Sequence, residues 1–385
     1  MYKFLPFMTN DYSIGLFDSD VNDIYHSAFG AISEAFYKFV YPVSEIFNDS
    51  NKINVLDICY GIGYNTKALI SETLSKDIVF NIDCVDINKE LIYLSPFIKT
   101  KVSLFDRIFN KNKLYTNISN YKEANKIIKL KNNSNSNLNI QNEVNLILLK
   151  NMIDDFGTDF FESDLKNIIA ETKNSPFFDK NVLGLFDYLA KKDIYLHQNK
   201  NKSAFVHNIY YEYISKRYKL YKKYAFNNKF NVKFHPTDVR RFIQNTQNKY
   251  DIIFLDGFTP AKCPCIWSYE FIKELYEHLS NNGSLVTYNT SAIVHNTLCN
   301  AGFFVGNIID NNKVIGTIAS NNIDNIKHNL SDAQKGLLKT KAGIMYHDCN
   351  LSLDNDTIYS NRQIEFENSN LMSSSKYLKG LKNEI

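Results

Sequence analysis

Asp256 closes an apolar run, Tyr250-Asp-Ile-Ile-Phe-Leu255, and is followed at once by Gly257-Phe258-Thr259-Pro260-Ala261-Lys262. A buried strand that ends on a carboxylate delivers an acid to the carboxyl edge of a parallel sheet, where ligands of open α/β sheets sit. Gly and Pro stop any regular element there, so the aromatic Phe258 is carried on an irregular loop. An acid beside an aromatic suits a site that holds an amine against a flat ring. The carboxylate can orient the nitrogen and receive its proton as a new bond forms.

A second constellation lies nearly two hundred residues earlier. Leu56-Asp57-Ile58-Cys59-Tyr60-Gly61-Ile62-Gly63-Tyr64-Asn65 follows a short apolar run from Ile53, and Thr66 to Leu74 has helical character. Gly-x-Gly after a strand has two readings besides a plain tight turn. A dinucleotide site needs a third glycine at the next but two position, where this chain has Thr66. The run instead resembles the first motif of S-adenosylmethionine (SAM) enzymes, which implies Asp57, Gly61, Gly63 and Asn65 at the cofactor. The strand Ile78 to Val85 then ends at Asp86, placed to accept both ribose hydroxyls. Asp238, after the strand Asn231 to His235, is placed for the adenine amino group.

These elements need a scaffold. Strand, Gly-rich turn, helix, strand and acid open a doubly wound α/β sheet. Helices are expected at Phe271 to Leu279, stopped by Asn282-Gly283, and at Val294 to Asn300, stopped by Gly302. A strand over Ser284 to Tyr288 and a hairpin, Phe303 to Ile309 and Lys313 to Ala319, complete the set. A sheet ending in a hairpin suggests the Rossmann-like seven-stranded methyltransferase variant, whose last strand is antiparallel. Residues 1–320 are expected to form that domain, with a mostly helical insertion over about 91–230 that carries the Asn-rich run 131–142. Residues 321–385 read as a polar appendage.

Composition excludes more than it selects. The 385 residues carry a net charge of only +3, so any polyanion site must be a local patch. Hydrophobic residues make up 44%, enough for a large core, yet no apolar run nears the ~20 residues of a membrane span. Met1 to Asn10 has no secretory pattern, and the six cysteines show no paired metal spacing, so free thiols in a reducing cytoplasm and no metal are expected. Within Ile209 to Phe226, Lys216, Lys219 and Lys223 share one helical face, a candidate for phosphate contacts, while Ile214, Tyr218, Tyr221 and Ala225 share another.

Leu255-Asp-Gly-Phe-Thr-Pro-Ala-Lys-Cys-Pro-Cys-Ile-Trp267 resembles the signature loop of MnmC-type tRNA methyltransferases. Tyr25-His-Ser27-x-x-Gly30-Ala31-Ile-x-Glu34-Ala35 resembles that family's N-terminal signature, which implies that Ser27 and Glu34 close over SAM and Tyr25 lies toward the substrate. Gly283 to Ala292 and the stretch Leu337 to Asn350 resemble later family segments. The resemblance implies methylation of the 5-aminomethyl group of tRNA wobble uridine, with Asp256 at the reacting amine and Phe258, Pro260, Lys262 and Trp267 around the nucleotide. Cys263 and Cys265 depart from the usual Asn and polar residue. No second Gly-rich motif follows, so the fused FAD-dependent oxidase of bifunctional members is not expected. An aminopropyl transferase using decarboxylated SAM, and a non-catalytic RNA-binding relative, remain alternatives.

Overall fold

The computed structural model describes residues 4–18, 23–25, 30–48, 50–100, 144–156 and 229–383. Three N-terminal strands, β1 (Phe4–Met8), β2 (Ile14–Asp18) and β3 (Asp23–Ile24), form a small antiparallel sheet in sequence order. The short helix α1 (Ala31–Glu34) follows. Next come β4 (Lys52–Ile58), α2 (Tyr64–Thr73), β5 (Val79–Asp86), α3 (Lys89–Leu94) and α4 (Val144–Phe156). Then β6 (Phe230–Pro236), α5 (Val239–Asn245), β7 (Tyr250–Leu255), α6 (Tyr269–Glu277) and β8 (Leu279–Thr287) alternate as an α/β chain should. The helix α7 (Ala292–Ala301), the hairpin β9 (Phe304–Asp310) and β10 (Lys313–Ser320), and helices α8 (Asp332–Leu338), α9 (Asn355–Asn368) and α10 (Ser374–Asn383) finish the chain.

A seven-stranded sheet has the order β6–β5–β4–β7–β8–β10–β9. β7 pairs in parallel with both β4 and β8, and β10 runs antiparallel to β8 and β9. This is the Rossmann-like methyltransferase arrangement, with the hairpin closing one edge as the sequence led us to expect. β7 is buried on both faces, which its run of Ile, Ile, Phe and Leu allows. Asn311 and Asn312 make the hairpin turn with φ 47° and 61°, the left-handed pair that matches strand twist.

By internal contacts the chain divides into two units. One holds Met1–Phe36, Tyr60–Cys84 and Asn88–Pro236; the other holds Tyr37–Cys59, Val85–Ile87 and Thr237–Ile385. In the first, nine of the ten residues of α2 are buried, so its lack of a polar stripe reflects burial all round. In the second, α6 starts on Ser268, whose side chain accepts the Phe271 amide, and buries Phe271, Ile272 and Leu275 against the core.

Two boundaries differ from the expected ones. Helix α6 ends at Glu277, and Asn282-Gly283 lies inside β8, where a register shift accommodates Asn282 at φ 64°. Turn-forming residues served a bulge in a strand, not a helix stop. Helix α2 begins two residues earlier than the spacing implied, because Gly63 in the left-handed region directly caps it. The polar stretch after Asn321 supplies Tyr346, Leu351 and Ile358 to the same core cluster as Leu255 and Trp267. Of the insertion, the described part contains α3, α4 and a 3₁₀ turn at Ser95–Phe97. The Asn-rich run and the lysines of Ile209 to Phe226 lie outside the described residues.

Candidate functional site

Parallel pairing of β4 with β7 brings Ile58 opposite Leu255, so the residues that follow each strand emerge side by side. The Asp256 amide donates to the Ile58 carbonyl at 3.3 Å, extending the ladder by one step. Cys59, with φ 60°, turns the chain there. Its thiol is pushed well above its ordinary pKa, first by burial and then by the neighbouring Asp86, Cys265, Asp256 and Asp57. Cys59 therefore stays protonated and neutral at physiological pH. Asp57 near the end of β4, Asp86 at the end of β5 and Asp256 just after β7 belong to three adjacent strands.

The loop after Asp256 is fixed at successive carbonyls. Tyr288 Oη donates to the Gly257 carbonyl at 2.9 Å, and Trp267 Nε1 donates to the Phe258 carbonyl at 2.8 Å. The Thr259 carbonyl accepts from the amides of Lys262 and Cys263 at 2.8 and 3.0 Å. A Cβ at position 257 would meet the tip of Ile266 and press on Cys59 Sγ, so the glycine lies tightly beneath the turn. Phe258 is half-buried, Pro260 buried and Lys262 exposed. Trp267, expected around the nucleotide, is buried at 1% exposure under the loop and meets Tyr288 edge-on at 6.4 Å. Cys263 and Cys265 hold their sulfurs 3.6 Å apart, and the Cys265 amide donates to Asn355 Oδ1.

Asp238 caps α5 by accepting the Arg240 amide and also receives the Arg240 guanidinium, Nη2 to Oδ2 at 2.7 Å. Burial raises the pKa of this carboxyl, but the side-chain and backbone hydrogen bonds from Arg240 outweigh it and hold the group below its usual range. Arg240 Nη1 reaches the fully buried Asp348 and the Leu353 carbonyl, both at 2.7 Å. The acid expected at the adenine is thus braced from the C-terminal region.

In the other unit, Gly61 and Gly63 adopt φ 56° and 76°, and the Gly63 amide closes the turn on the Tyr60 carbonyl at 2.8 Å. A Cβ at Gly63 would collide with the Tyr60 ring, whose hydroxyl pairs with Ser95 Oγ at 2.9 Å. Asn65 is buried in the first turn of α2. Tyr25 donates to Asp18 Oδ2 at 2.9 Å, and Glu34 is half-buried at the end of α1. Asp11 accepts the Ser33 amide at 2.8 Å and leaves Gly30 no room for a side chain. Ser27 lies outside the described residues.

Sequence reasoning singled out the acids and the glycines. It did not foresee Arg240 and Asp348 behind Asp238, Tyr288 on the Gly257 carbonyl, or the turn at Cys59 after β4. Tyr288 was recoverable in principle, because it directly follows β8, the strand beside β7. Among the described residues no group of three or more His, Cys, Asp or Glu side chains could hold a metal ion. A sulfonium cation bearing a ribose diol fits the donor set of the second unit, the carboxylates Asp57, Asp86 and Asp256 at three adjacent strands.

Residues 200–320 match a family described as S-adenosyl-L-methionine-dependent methyltransferases. The chain is 23% identical over 361 residues to the uncharacterised protein MJ0670 of Methanocaldococcus jannaschii, a match covering 92% of this chain and 70% of that protein. Its fold is shared with MnmC2 from Aquifex aeolicus, at a TM-score of 0.59 and 16% identity, covering 96% of this chain and 87% of the other. A probable spermidine synthase from Corynebacterium glutamicum aligns at a TM-score of 0.35, too low to carry an argument. The matched region is an S-adenosyl-L-methionine-dependent methyltransferase domain with the MnmC2 type of fold, and its cofactor is SAM. Among the described residues no helix is long and apolar enough to cross a membrane.

Proposed function

From a SAM-dependent methyltransferase domain, we propose that this chain methylates the 5-aminomethyl group of wobble uridine in tRNA, giving 5-methylaminomethyl-(2-thio)uridine. The observation that carries the reading is Asp256 at the end of β7, followed by a loop whose carbonyls are tied down and whose half-buried Phe258 rides between them. The fold shared with MnmC2 and the signature loop support the same substrate class. With tRNA as substrate, the protein works in the cytoplasm.

SAM supplies an activated methyl group when bound, with a neutral thioether as the leaving group. The work of the chain is to hold and align. Asp86 would take the ribose hydroxyls, Asp57 and the backbone of Gly61 and Gly63 with Asn65 would hold the amino-acid part, and Asp238 would meet the adenine amino group. Ser27 and Glu34 are assigned to the cofactor, and Tyr25 to the nucleotide. Asp256 accepts a hydrogen bond from the substrate amine and takes up its proton as the N–C bond forms and the C–S bond breaks. A primary amine enters mostly as ammonium and gives a proton to water as it leaves solvent for the pocket, so that Asp256 is free to take the second proton. Phe258 packs on the uracil, Pro260 shapes the loop, and Trp267 secures it from below. Exposed Lys262, together with Lys216, Lys219 and Lys223, is assigned to tRNA phosphates.

The test is incubation with methyl-labelled SAM and tRNA that does or does not carry 5-aminomethyluridine, followed by nucleoside mass spectrometry. Label on 5-methylaminomethyluridine alone supports the assignment. Transfer to another nucleoside, to putrescine, or only to protein overturns it.

A further inference from the structure

We propose that Tyr288 is a positioning residue for methyl transfer, whose hydroxyl sets the loop that presents Asp256 and Phe258 to the substrate. The proposal rests on the amine-methylating reading above for its substrate, but the geometry behind it is independent of which nucleoside is used. Tyr288 is the residue that follows β8, the parallel neighbour of β7, so its backbone is anchored on the rigid sheet. Its hydroxyl donates to the Gly257 carbonyl at 2.9 Å, one residue beyond Asp256.

Trp267 donates to the next carbonyl, that of Phe258, at 2.8 Å, and its indole meets the Tyr288 ring at 89°. Lys38 Nζ lies 5.8 Å from the centre of the Tyr288 ring. The two aromatic donors therefore form one brace that fixes two consecutive peptide planes. Fixing the 257–258 and 258–259 planes fixes φ and ψ of Phe258, and with them the direction of its Cα–Cβ bond, from which the ring is presented. Gly257 cannot supply this stiffness itself, since it lacks a side chain and a Cβ there would meet the tip of Ile266. Near-attack geometry tolerates small errors only, so loosening the turn should lower the rate of the aligned step more than it weakens binding of SAM.

The experiment compares the wild-type protein with Tyr288→Phe, which keeps the ring and removes the hydroxyl alone. Hydrogen–deuterium exchange of residues 257–260 is measured beside steady-state kinetics, SAM affinity and melting temperature. Expected are faster exchange of the loop amides by about tenfold, a fall in kcat of about tenfold, and SAM affinity within about twofold of wild type. Unchanged exchange, or an unchanged kcat, overturns the proposal. So does a parallel loss of SAM affinity and melting temperature with no separate effect on kcat, because that is the signature of a merely structural contact. Should the wild-type protein methylate a different nucleoside, the substrate assignment fails, while the same comparison on that nucleoside still decides the role of Tyr288. Should no substrate turn over, the loop exchange decides it.

Discussion

Arg240 Nη1 donates to Asp348 Oδ2 at 2.7 Å across 108 residues of sequence, while the same guanidinium holds Asp238 through Nε and Nη2. Asp348 is fully buried, and its other oxygen accepts the amides of Ser352 and Leu353. One cation thus ties the start of α5 to a segment between α8 and α9. Removing the Asp348 carboxylate takes the acceptor from two amides and leaves Arg240 paired with Asp238 and the Leu353 carbonyl, a loss of about 1–3 kcal/mol for charge-assisted hydrogen bonds. Asp348→Ala is expected to lower the urea midpoint accordingly, with Asp348→Asn losing less because it keeps an acceptor for the amides. Equal midpoints for wild type and Asp348→Ala would show that the pair does not hold this region.

His295 gives stability a pH dependence that does not involve the carboxylates. Burial pushes its pKa down to about 4, and its Nε2 pairs with Thr317 Oγ1 at 2.8 Å. Between the ordinary value of 6.5 and about 4, the unfolded chain takes up a proton that the folded chain refuses. Stability contributed by neutral His295 is therefore complete above pH 6.5 and declines as pH falls toward 4. The span corresponds to a loss of up to about 3 kcal/mol. Urea titrations at stepped pH should show this slope in wild type and a flatter profile for His295→Gln; identical slopes would refute it.

The strands that lead to the candidate site's acids were legible because each carries a local signal. An apolar run ending on Asp86 or Asp256 declares its own edge, and Asn311-Asn312 declares a hairpin turn. Asn282-Gly283 misled because the left-handed conformation it favours serves a bulge as well as a helix stop. What could not be read were partnerships at long range. Nothing near Arg240 announces Asp348, and nothing near Cys59 announces Asp86 and Asp256 at the ends of the adjacent strands. Trp267 matches the signature loop by spacing, yet its direction, inward to the Phe258 carbonyl, depends on the core cluster it joins with Leu255, Phe271 and Leu275. The three-stranded N-terminal sheet was missed because its strands are short and joined through a Thr9–Asp11–Ser13 side-chain network.

Asp256 separates binding from chemistry. If it orients the amine and accepts its proton, Asp256→Asn should leave SAM affinity within about threefold and lower kcat by roughly 10²–10⁴, the range of general-base contributions. Calorimetry with SAM and single-turnover transfer to tRNA measure the two separately. A matched loss in both would assign Asp256 to the cofactor instead.

Gly63 separates backbone strain from steric exclusion in the glycine turn. Its φ of 76° and ψ of 32° lie in the left-handed region, where a Cβ costs about 1–2 kcal/mol. A Cβ there would also collide with the Tyr60 ring, which is held by Ser95 and packs edge-on against Phe234 at 5.6 Å. Gly63→Ala is expected to lose stability by both routes and to weaken SAM binding by at least about tenfold, since the turn must open to make room. Gly63→Asn tolerates the left-handed conformation but keeps the Cβ, so it should recover stability by about 1 kcal/mol relative to the alanine variant. It should not recover SAM affinity, because the collision remains. Restored affinity in Gly63→Asn would mean that conformation alone, and not the space beside Tyr60, dictates glycine at this position.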